Sequence, residues 1–397
     1  MTRIFRPNAY YEEEIRTGKL FPKPLLGRNS IIECAILVLF ALNRSRTKVI
    51  TTQTQSRDWI NYWKNRKVSV SDSILPVDSI TGNILEKKHS LYSSADLEEW
   101  GRICRINSDL QLEIDPQLES SSQLLCSKFR QWSWKNQNSL EDLSSYMIPS
   151  KEEAKNVLQK IAQENSENSF WVSKPEFGFS GNHKVFPTAL IPALQADLEH
   201  CILEPWVDRV SDHSLLFHSI NGTFKMDAST LLLSDAKGRY VGNWLSSEDE
   251  SQDYISEMKE CLVKLSDFAP EYSGFGSIDS FYFKTSQGIQ CRRVSEINFR
   301  WTMGRVLLEL SQSAKDHSKR DLLLFVKNIR ANPDSYNLLN LWEKETGWKI
   351  SALSPFSDPS EKPYRQVLLW FRIPKQEAEN PLGMTKEIQE QARLRFC

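Results

Sequence analysis

Three oxygen-bearing side chains are spaced to hold a divalent cation. Asp279 and Glu296 flank Thr285-Ser286-Gln287-Gly288, the best turn sequence in that stretch, and their midpoint falls between Gln287 and Gly288. A two-residue turn there sets Asp279 directly across from Glu296 on paired strands. Asn298, two residues further on, shares the Glu296 face of the strand. An all-oxygen set of this kind suits Mg²⁺, which keeps several waters and shares its shell with phosphate. Glu296 lies in the apolar run Val294-Ser295-Glu296-Ile297, where a carboxylate needs a partner. A salt bridge to Arg292 or Arg300 is the purely structural alternative.

A second chemistry-bearing stretch is Trp171-Val172-Ser173-Lys174-Pro175-Glu176-Phe177-Gly178-Phe179-Ser180-Gly181. Lys174 closes an apolar strand, and Gly178, Ser180 and Gly181 give backbone freedom and exposed N–H groups. Such a turn can form an anion nest, the chemistry of a phosphate cradle. It matches neither GxxxxGK[ST] nor GxGxxG, and an ordinary strand-to-turn junction is the competing reading. The third stretch is Leu203-Glu204-Pro205-Trp206-Val207. An adenine needs an acceptor for its amino group and a donor for N1. Glu204 can accept, Pro205 has no N–H, and Val207 is the nearest backbone donor beyond it. Trp206 can line such a pocket. A core Trp206 beside a solvated Glu204 is the alternative.

The elements that must position these residues change character along the chain. Ile31–Asn43 reads as a helix and Lys48–Thr52 as a short strand, so the front is α/β. Ser150 is a helix N-cap with Glu153 completing a capping box, and that helix runs to about Glu164. Strands are expected at Ser169–Lys174, Cys201–Glu204 and Ser214–Ser219, with a helix at Leu190–Leu198. Asn221-Gly222 is a hairpin turn. A second hairpin joins Ser229–Ser234 to Arg239–Trp244 through Asp235-Ala236-Lys237-Gly238. Gln252–Phe268 is an amphipathic helix, Val306–Ile329 a further helix, and Gln366–Ile373 belongs to a mixed α/β end. The middle is thus antiparallel hairpins with helices packed on them.

The totals narrow the classes. The chain has 397 residues, with 50 basic and 51 acidic side chains, a balance that argues against a dedicated nucleic-acid binder. Residues 1–67 carry 13 Lys or Arg against 5 Asp or Glu, whereas residues 68–127 carry 4 against 10. Solvated faces account for this, or the basic front helps to hold an anionic substrate. No signal peptide is visible at the start. The longest apolar run, Ile31–Leu42, is broken by Glu33 and too short to span a bilayer, so no membrane partner is expected. Seven cysteines with no CxxC pair point to neither disulfides nor zinc, and to a cytoplasmic location.

Taken in order, a lysine, a glycine-rich loop, a glutamate hinge, an aspartate and Glu-x-Asn resemble the ATP-grasp superfamily of carboxylate–amine ligases. The resemblance runs from about Lys128 to Gly304. Its most specific part is Ser295-Glu296-Ile297-Asn298-Phe299-Arg300-Trp301-Thr302-Met303-Gly304. This is similar to the EINxRWTMG ending of ATP-grasp proteins that carry a preceding pre-ATP-grasp domain. The resemblance implies an α/β (α+β) ATP-grasp fold behind an N-terminal α/β domain. The implied division is 1–123 for that domain, 124–200 for the lid with the phosphate loop, 201–310 for the adenine and metal sites, and 311–397 for a C-terminal extension.

The resemblance also implies roles. Lys128, from the first strand of the lid, and Lys174 would contact the phosphates of ATP, under a loop of Gly178, Ser180 and Gly181. Glu204, Trp206 and Val207 would surround adenine. Asp212 would bind the ribose hydroxyls, with Asp208 as a competitor. Asp279, Glu296 and Asn298 would hold Mg²⁺. Many members place an arginine two residues before the metal aspartate to stabilise an acyl-phosphate. That position is Ser277 here, so Arg300 or Arg293 would substitute, with Arg300 and Lys174 as the catalytic pair. His183 reads first as an ordinary loop residue, with contact to substrate as the alternative. The implied reaction joins a carboxylate to an amine, of amino-acid or peptide type, and releases ADP and phosphate. A small-molecule kinase and a non-catalytic ATP-binding regulatory module are the alternatives. A homodimer is the oligomer considered, with the tail beyond Arg305 as its contact or as a cap.

Overall fold

A computed structural model of the chain describes residues 3–85, 97–163, 170–178, 184–187, 198–235, 238–314, 316–329 and 334–396. They divide into two compact units. The first is Met1–Glu119 with Val241–Ser247 and Arg300–Cys397, and the second is Ser120–Tyr240 with Glu248–Phe299. The segments expected at 1–123 and 311–397 therefore lie almost wholly in one unit.

The first unit is built on short parallel strands. Ile4–Arg6 lies between Lys48–Thr51 and Leu97–Glu99, and Ile74–Pro76 extends the sheet beyond the Lys48 strand. Parallel sheets are covered on both faces, so even the arginine of Ile4-Phe5-Arg6 is buried. Its guanidinium is bound by Glu14 and by Glu99 at 2.7 Å, so the buried cation has two carboxylates. Residues 23–42 are long and apolar enough to cross a membrane by length and composition. In the fold the helix Leu26–Leu42 is a core element, with Ser30–Leu39 buried without interruption. Antiparallel strands complete the unit in the order Tyr240–Leu245, Lys319–Lys327, Gln366–Pro374, Lys349–Ala352. Trp59 and Trp63 both donate to the Ala352 carbonyl at 3.0 Å, tying helix Arg57–Asn65 to that sheet.

One expectation fails here. The stretch Val306–Ile329 is a helix only over Met303–Ala314, after which Lys319–Lys327 is a strand. Leu322-Leu323-Leu324 is buried and pairs on both sides, with the Tyr240 and Gln366 strands. A strand buried on both faces reads as a continuous apolar run, which periodicity cannot separate from a buried helix.

The second unit carries two antiparallel sheets. Cys201–Pro205 lies between Tyr146–Ile148 and Phe170–Pro175, with Lys184–Pro187 beyond the Phe170 strand. Ser150 Oγ accepts from Glu153 N at 3.3 Å at the start of helix Lys151–Gln163, the expected cap. In the larger sheet, Arg209–Ile220 lies between Thr223–Ser234 and Gly274–Thr285, and Gly288–Asn298 pairs with the Gly274 strand. Asn221 and Gly222 both have positive φ, 47° and 74°, as the tight turn requires. The Asp235–Arg239 turn closes through Asp235 N to Arg239 O at 2.9 Å. One face of the larger sheet, with Leu215, Phe217, Ile278, Val294 and Ile297, packs on Tyr254, Met258, Cys261 and Leu265 of helix Glu248–Phe268. The opposite face carries Asp212, Ser214, Ser277 and Asp279 beside the buried Leu216 and Phe281. Of the expected Leu190–Leu198 helix, all but Leu198 lies outside the described residues.

Glu33, the one charge inside the apolar run, is itself buried. It accepts from Asn29 Nδ2 at 3.0 Å, Thr52 Oγ1 at 2.8 Å and Thr52 N at 3.0 Å. Burial pushes its carboxyl up from 4.5 to about 7, against those three bonds. The folded chain then keeps a proton that the unfolded chain releases. The stability tied to this proton is full below pH 4.5 and is lost as pH rises through 7. Unfolding free energies from urea titrations between pH 5 and 7 are expected to fall for wild type relative to Glu33→Gln, by up to about 1.4 kcal/mol per pH unit. Parallel curves for the two proteins would refute this.

Candidate functional site

The hairpin brings the expected metal residues together. Asp279 pairs directly with Glu296, and Ser277 pairs with Asn298. The register arises differently from the expectation. The turn is Ser286-Gln287, with Thr285 opposite Gly288, so it lies one residue early. A bulge then places Arg293, Val294 and Ser295 opposite Ser280 alone, which restores Asp279 to Glu296. Asn298 Nδ2 donates to Asp279 Oδ2 at 2.9 Å. Ser214 Oγ donates to Asp279 Oδ1 at 2.7 Å from the neighbouring strand, and Ser277 Oγ does so at 3.3 Å. Gly276 permits the close strand approach, because a Cβ there would lie 2.6 Å from the Asn298 carbonyl. Two carboxylates and an amide on one face fit Mg²⁺, which takes one or two protein carboxylates and completes its shell with water and phosphate. Among the described residues there is no cluster of three or more His, Cys, Asp and Glu.

Lys128 joins this hairpin to the glycine loop. Its Nζ is 2.9 Å from Glu296 Oε1 and donates to the Gly178 carbonyl at 2.9 Å. Glu296 thus has a lysine partner, while Arg292 is turned to Glu204 and Glu141. Lys128 is the first residue of helix Lys128–Gln137, capped by Ser127, and not part of a strand as the resemblance implies. The cap explains the difference: Ser127 Oγ accepts from Arg130 N and starts a helix where a strand was expected. Ser180, Gly181 and His183 lie outside the described residues.

A chain of buried charges backs the site. Lys174 pairs with Glu204 on the adjacent strand. The other Glu204 oxygen is 2.8 Å from Arg292 Nη2, and Arg292, 0% exposed, is 3.0 Å from Glu141. Lys135 closes the chain at 2.9 Å from Glu141. Three cations against two carboxylates leave one positive charge in excess. Burial alone would raise the Glu204 carboxyl, but Arg292, Lys174 and Lys135 outweigh it and hold the group well below the carboxylate range. Lys174 is pushed down by burial, with Arg292 and Arg209 adding to the shift against Glu204. Lys135 falls to about 8 for the same first reason. The Glu204 carboxylate is therefore committed to cations, and only its backbone remains for an adenine contact.

The remaining residues order themselves along the Arg209 strand. Trp206 N donates to the Phe170 carbonyl at 2.9 Å, and the Arg209 guanidinium lies over the Trp206 ring at 5.4 Å. Among the described residues the Val207 N–H has no partner. Asp212 accepts from Arg209 Nη1 at 2.9 Å and lies on the same strand face as Ser214. Its competitor Asp208 is exposed beside Lys284 at 3.1 Å. Arg293 is held by Asp142 at 2.7 and 3.1 Å. Arg300, in the first unit, donates to Glu12 at 2.8 Å. Sequence reasoning missed Lys135, Glu141 and Ser214, which carry no motif of their own. Arg292 was visible only as a partner for Glu296.

The first unit has a pocket of about 350 Å³, counting its open mouth. Arg6, Asn8, Glu14, Asn29 and Glu33 line it among Phe21, Leu25 and Ile50, at the carboxyl ends of the parallel strands. The Asn8 side-chain amide bonds both ways with the Gly101 backbone. Ligands of open α/β sheets bind at these strand ends.

No protein-family model matches the chain, and no curated protein sequence matches it. Solved structures do. Carboxyaminoimidazole ribonucleotide synthase from Aspergillus clavatus complexed with ATP superposes with a TM-score of 0.54 at 10% identity, covering 98% of each chain. N5-carboxyaminoimidazole synthetase from Staphylococcus aureus complexed with ADP gives 0.53 at 10% identity, covering 91% of this chain and 95% of that one. At such identity the likeness shows the fold, and that fold is the ATP-grasp fold.

The buried charge chain makes its own prediction. Glu204→Gln leaves Arg292 and Lys174 facing each other without their shared anion. A loss of about 3–5 kcal/mol in urea unfolding is expected, the cost of uncompensating a buried pair. A variant within about 1 kcal/mol of wild type would show that the chain is solvated and not a buried network.

Proposed function

From the premise of an ATP-grasp fold, we propose that the chain is an ATP-dependent ligase that joins a carboxylate to an amine through an acyl-phosphate. The observation that carries the reading is Lys128, whose Nζ bridges Glu296 of the oxygen-ligand hairpin to the Gly178 carbonyl of the loop. A triphosphate placed there meets a lysine, a cation site and a glycine loop at once. The excess positive charge of the buried chain, ending at Lys174, supports the same placement. Adenine would lie at the Cys201 strand's end, with the Val207 N–H as donor to N1, the Glu204 carbonyl as acceptor and Trp206 beside the ring. Asp212 would take the ribose hydroxyls.

Asp279, Glu296 and Asn298 would hold Mg²⁺, which neutralises charge on the phosphates. Lys128 and Lys174 hold the phosphates against the acid that attacks the terminal one. The hydroxyls of Ser214 and Ser277 fix Asp279 Oδ1, and the Asn298 amide fixes Oδ2. The Gly178 loop shields the acyl-phosphate from water. The amine then displaces phosphate, and holding both reactants together supplies much of the rate. Amino acids or short peptides are the substrates we favour. The six described cysteines carry no disulfide, which supports a reducing compartment. One observation favours a kinase as the second reading: Ser277 stands where many ligases of this fold place an arginine for the acyl-phosphate.

Purified protein incubated with ATP, Mg²⁺ and pooled amino acids and dipeptides is expected to release ADP in a substrate-dependent way. Lys128→Met should lower that rate by about 10²-fold, as loss of one charge-stabilising group does elsewhere. Glu296→Ala should abolish it. Mass spectrometry distinguishes an amide product from a phosphorylated acceptor, and the latter would establish the kinase. Release of AMP instead of ADP would eliminate the acyl-phosphate route.

A further inference from the structure

His218 and Asp227 form a dyad that none of the roles above uses. His218 Nδ1 and Asp227 Oδ1 are 2.6 Å apart. Both are partly exposed, with 33% and 18% of each side chain open to solvent. His218 lies on the Arg209 strand and Asp227 on the Thr223 strand. The ladder between these strands breaks between Leu216 and Phe217, where Leu216 pairs with Ala228 and Phe217 with Met226. Asp227 is therefore the extra residue of a bulge, a device that re-aims a side chain and is over-represented next to active sites. Here it turns a carboxylate onto the imidazole.

The register fixes where the dyad lies. Along the Arg209 strand, Asp212, Ser214, Leu216 and His218 alternate onto one face, opposite Phe281, Asp279, Ser277 and Phe275. That is the face of the metal residues, away from the helix-covered core. Asp212 stands where ribose would bind and Ser214 touches Asp279. His218 is four residues beyond Ser214, about 13 Å further along the same line. It lies about 7 Å past the Ser277–Asn298 row, on the side away from the ribose acid. A nucleotide laid from Asp212 toward Asp279 points its terminal phosphate at His218. From the flanking strands the imidazole faces Asp227 and Lys225 on one side and Phe275 on the other. Among the described residues Nε2 has no partner.

We propose that His218 is the general base for the attacking amine, oriented by Asp227; this rests on the ligase reading. The amine nitrogen forms the C–N bond at the acyl carbon. The C–O bond to phosphate breaks, and its electron pair leaves with phosphate. Nε2 first takes one proton from the ammonium, which frees the lone pair for attack, and Asp227 stabilises the imidazolium from Nδ1; the second proton, shed by nitrogen as the amide forms, leaves with the phosphate.

The test compares two nucleophiles on wild type, His218→Ala and Asp227→Asn, with ATP, Mg²⁺ and the twenty amino acids as carboxylate donors. Hydroxylamine is already unprotonated at neutral pH and needs no base. Amino-acid amines are protonated and do. Hydroxamate formation is expected to survive in His218→Ala, while dipeptide formation falls about 10²-fold and added imidazole restores part of it. Asp227→Asn should show a smaller loss of the same kind. Where His218→Ala does not fold by circular dichroism, His218→Gln, which retains a hydrogen bond to Asp227, takes its place. Equal loss of both products, or no loss of dipeptide, would overturn the proposal. A wild-type protein that makes no hydroxamate would instead sink the ligase reading, before any variant is compared.

Discussion

Arg292 is the side chain on which the second unit depends. It is 0% exposed, and a lone guanidinium taken from water at that depth would cost several kcal/mol. Its compensation comes from Glu204 and Glu141, on separate segments of the unit. Each carboxylate then recruits a lysine, Lys174 and Lys135. Because the set is buried, no member can relax into solvent when another moves. The arrangement locks the Cys201, Phe170 and Gly288 strands in mutual register through charge as well as through backbone bonds. It also leaves one cation over, at Lys174, the most open member, and a strand end with a surplus positive charge is a place where an anion gains most.

The Asp279–Glu296 hairpin depends on a different constraint, the pairing of three strands around Asp279. Its two carboxylate oxygens are claimed by a hydroxyl from one side and an amide from the other. A carboxylate so held presents its remaining lone pairs in a fixed direction. The bulge opposite Ser280 makes this possible, because it moves Glu296 and Asn298 into line while Arg292 stays opposite Phe281. A hairpin without those extra residues would put either the charge chain or the oxygen set out of register. The two halves of the site are therefore coupled by a local backbone irregularity, a more rigid link than side-chain contact alone.

The first unit solves a separate problem. Its parallel strands are three or four residues long, so few backbone bonds hold each one. Arg6 compensates by gathering Glu14 and Glu99 from outside its own strand, and Asn8 clasps the backbone of Gly101 in both directions. Polar clasps of this kind confine short strands more tightly than apolar packing would, since a donor and an acceptor fit in one register only. They also leave a walled pocket at the strand ends.

How much of this was legible depends on the range of the interaction. The Asn221-Gly222 turn and the Ser150 cap follow from neighbours in the chain, and the sequence by itself determined them, whereas the facing of Asp279 with Glu296, although expected, is reached through a bulge opposite Ser280 that nothing local marks. The sequence also carried the order of lysine, glycine loop, hinge glutamate and Glu-x-Asn from which the ATP-grasp fold was inferred. Partnerships between distant segments were decided only by the tertiary structure. Nothing local marks Ser214 as the partner of Asp279, 65 residues away. Nothing local assigns Arg292 to Glu204 and not to Glu296, since an arginine reaches several carboxylates equally well until packing removes the others. Leu322–Leu324 reads equally as helix or strand, because a segment apolar on every side has no period. Burial between two strands chose for it. Charge pairing and two-sided burial are properties of an environment, and the environment exists only once the chain has folded.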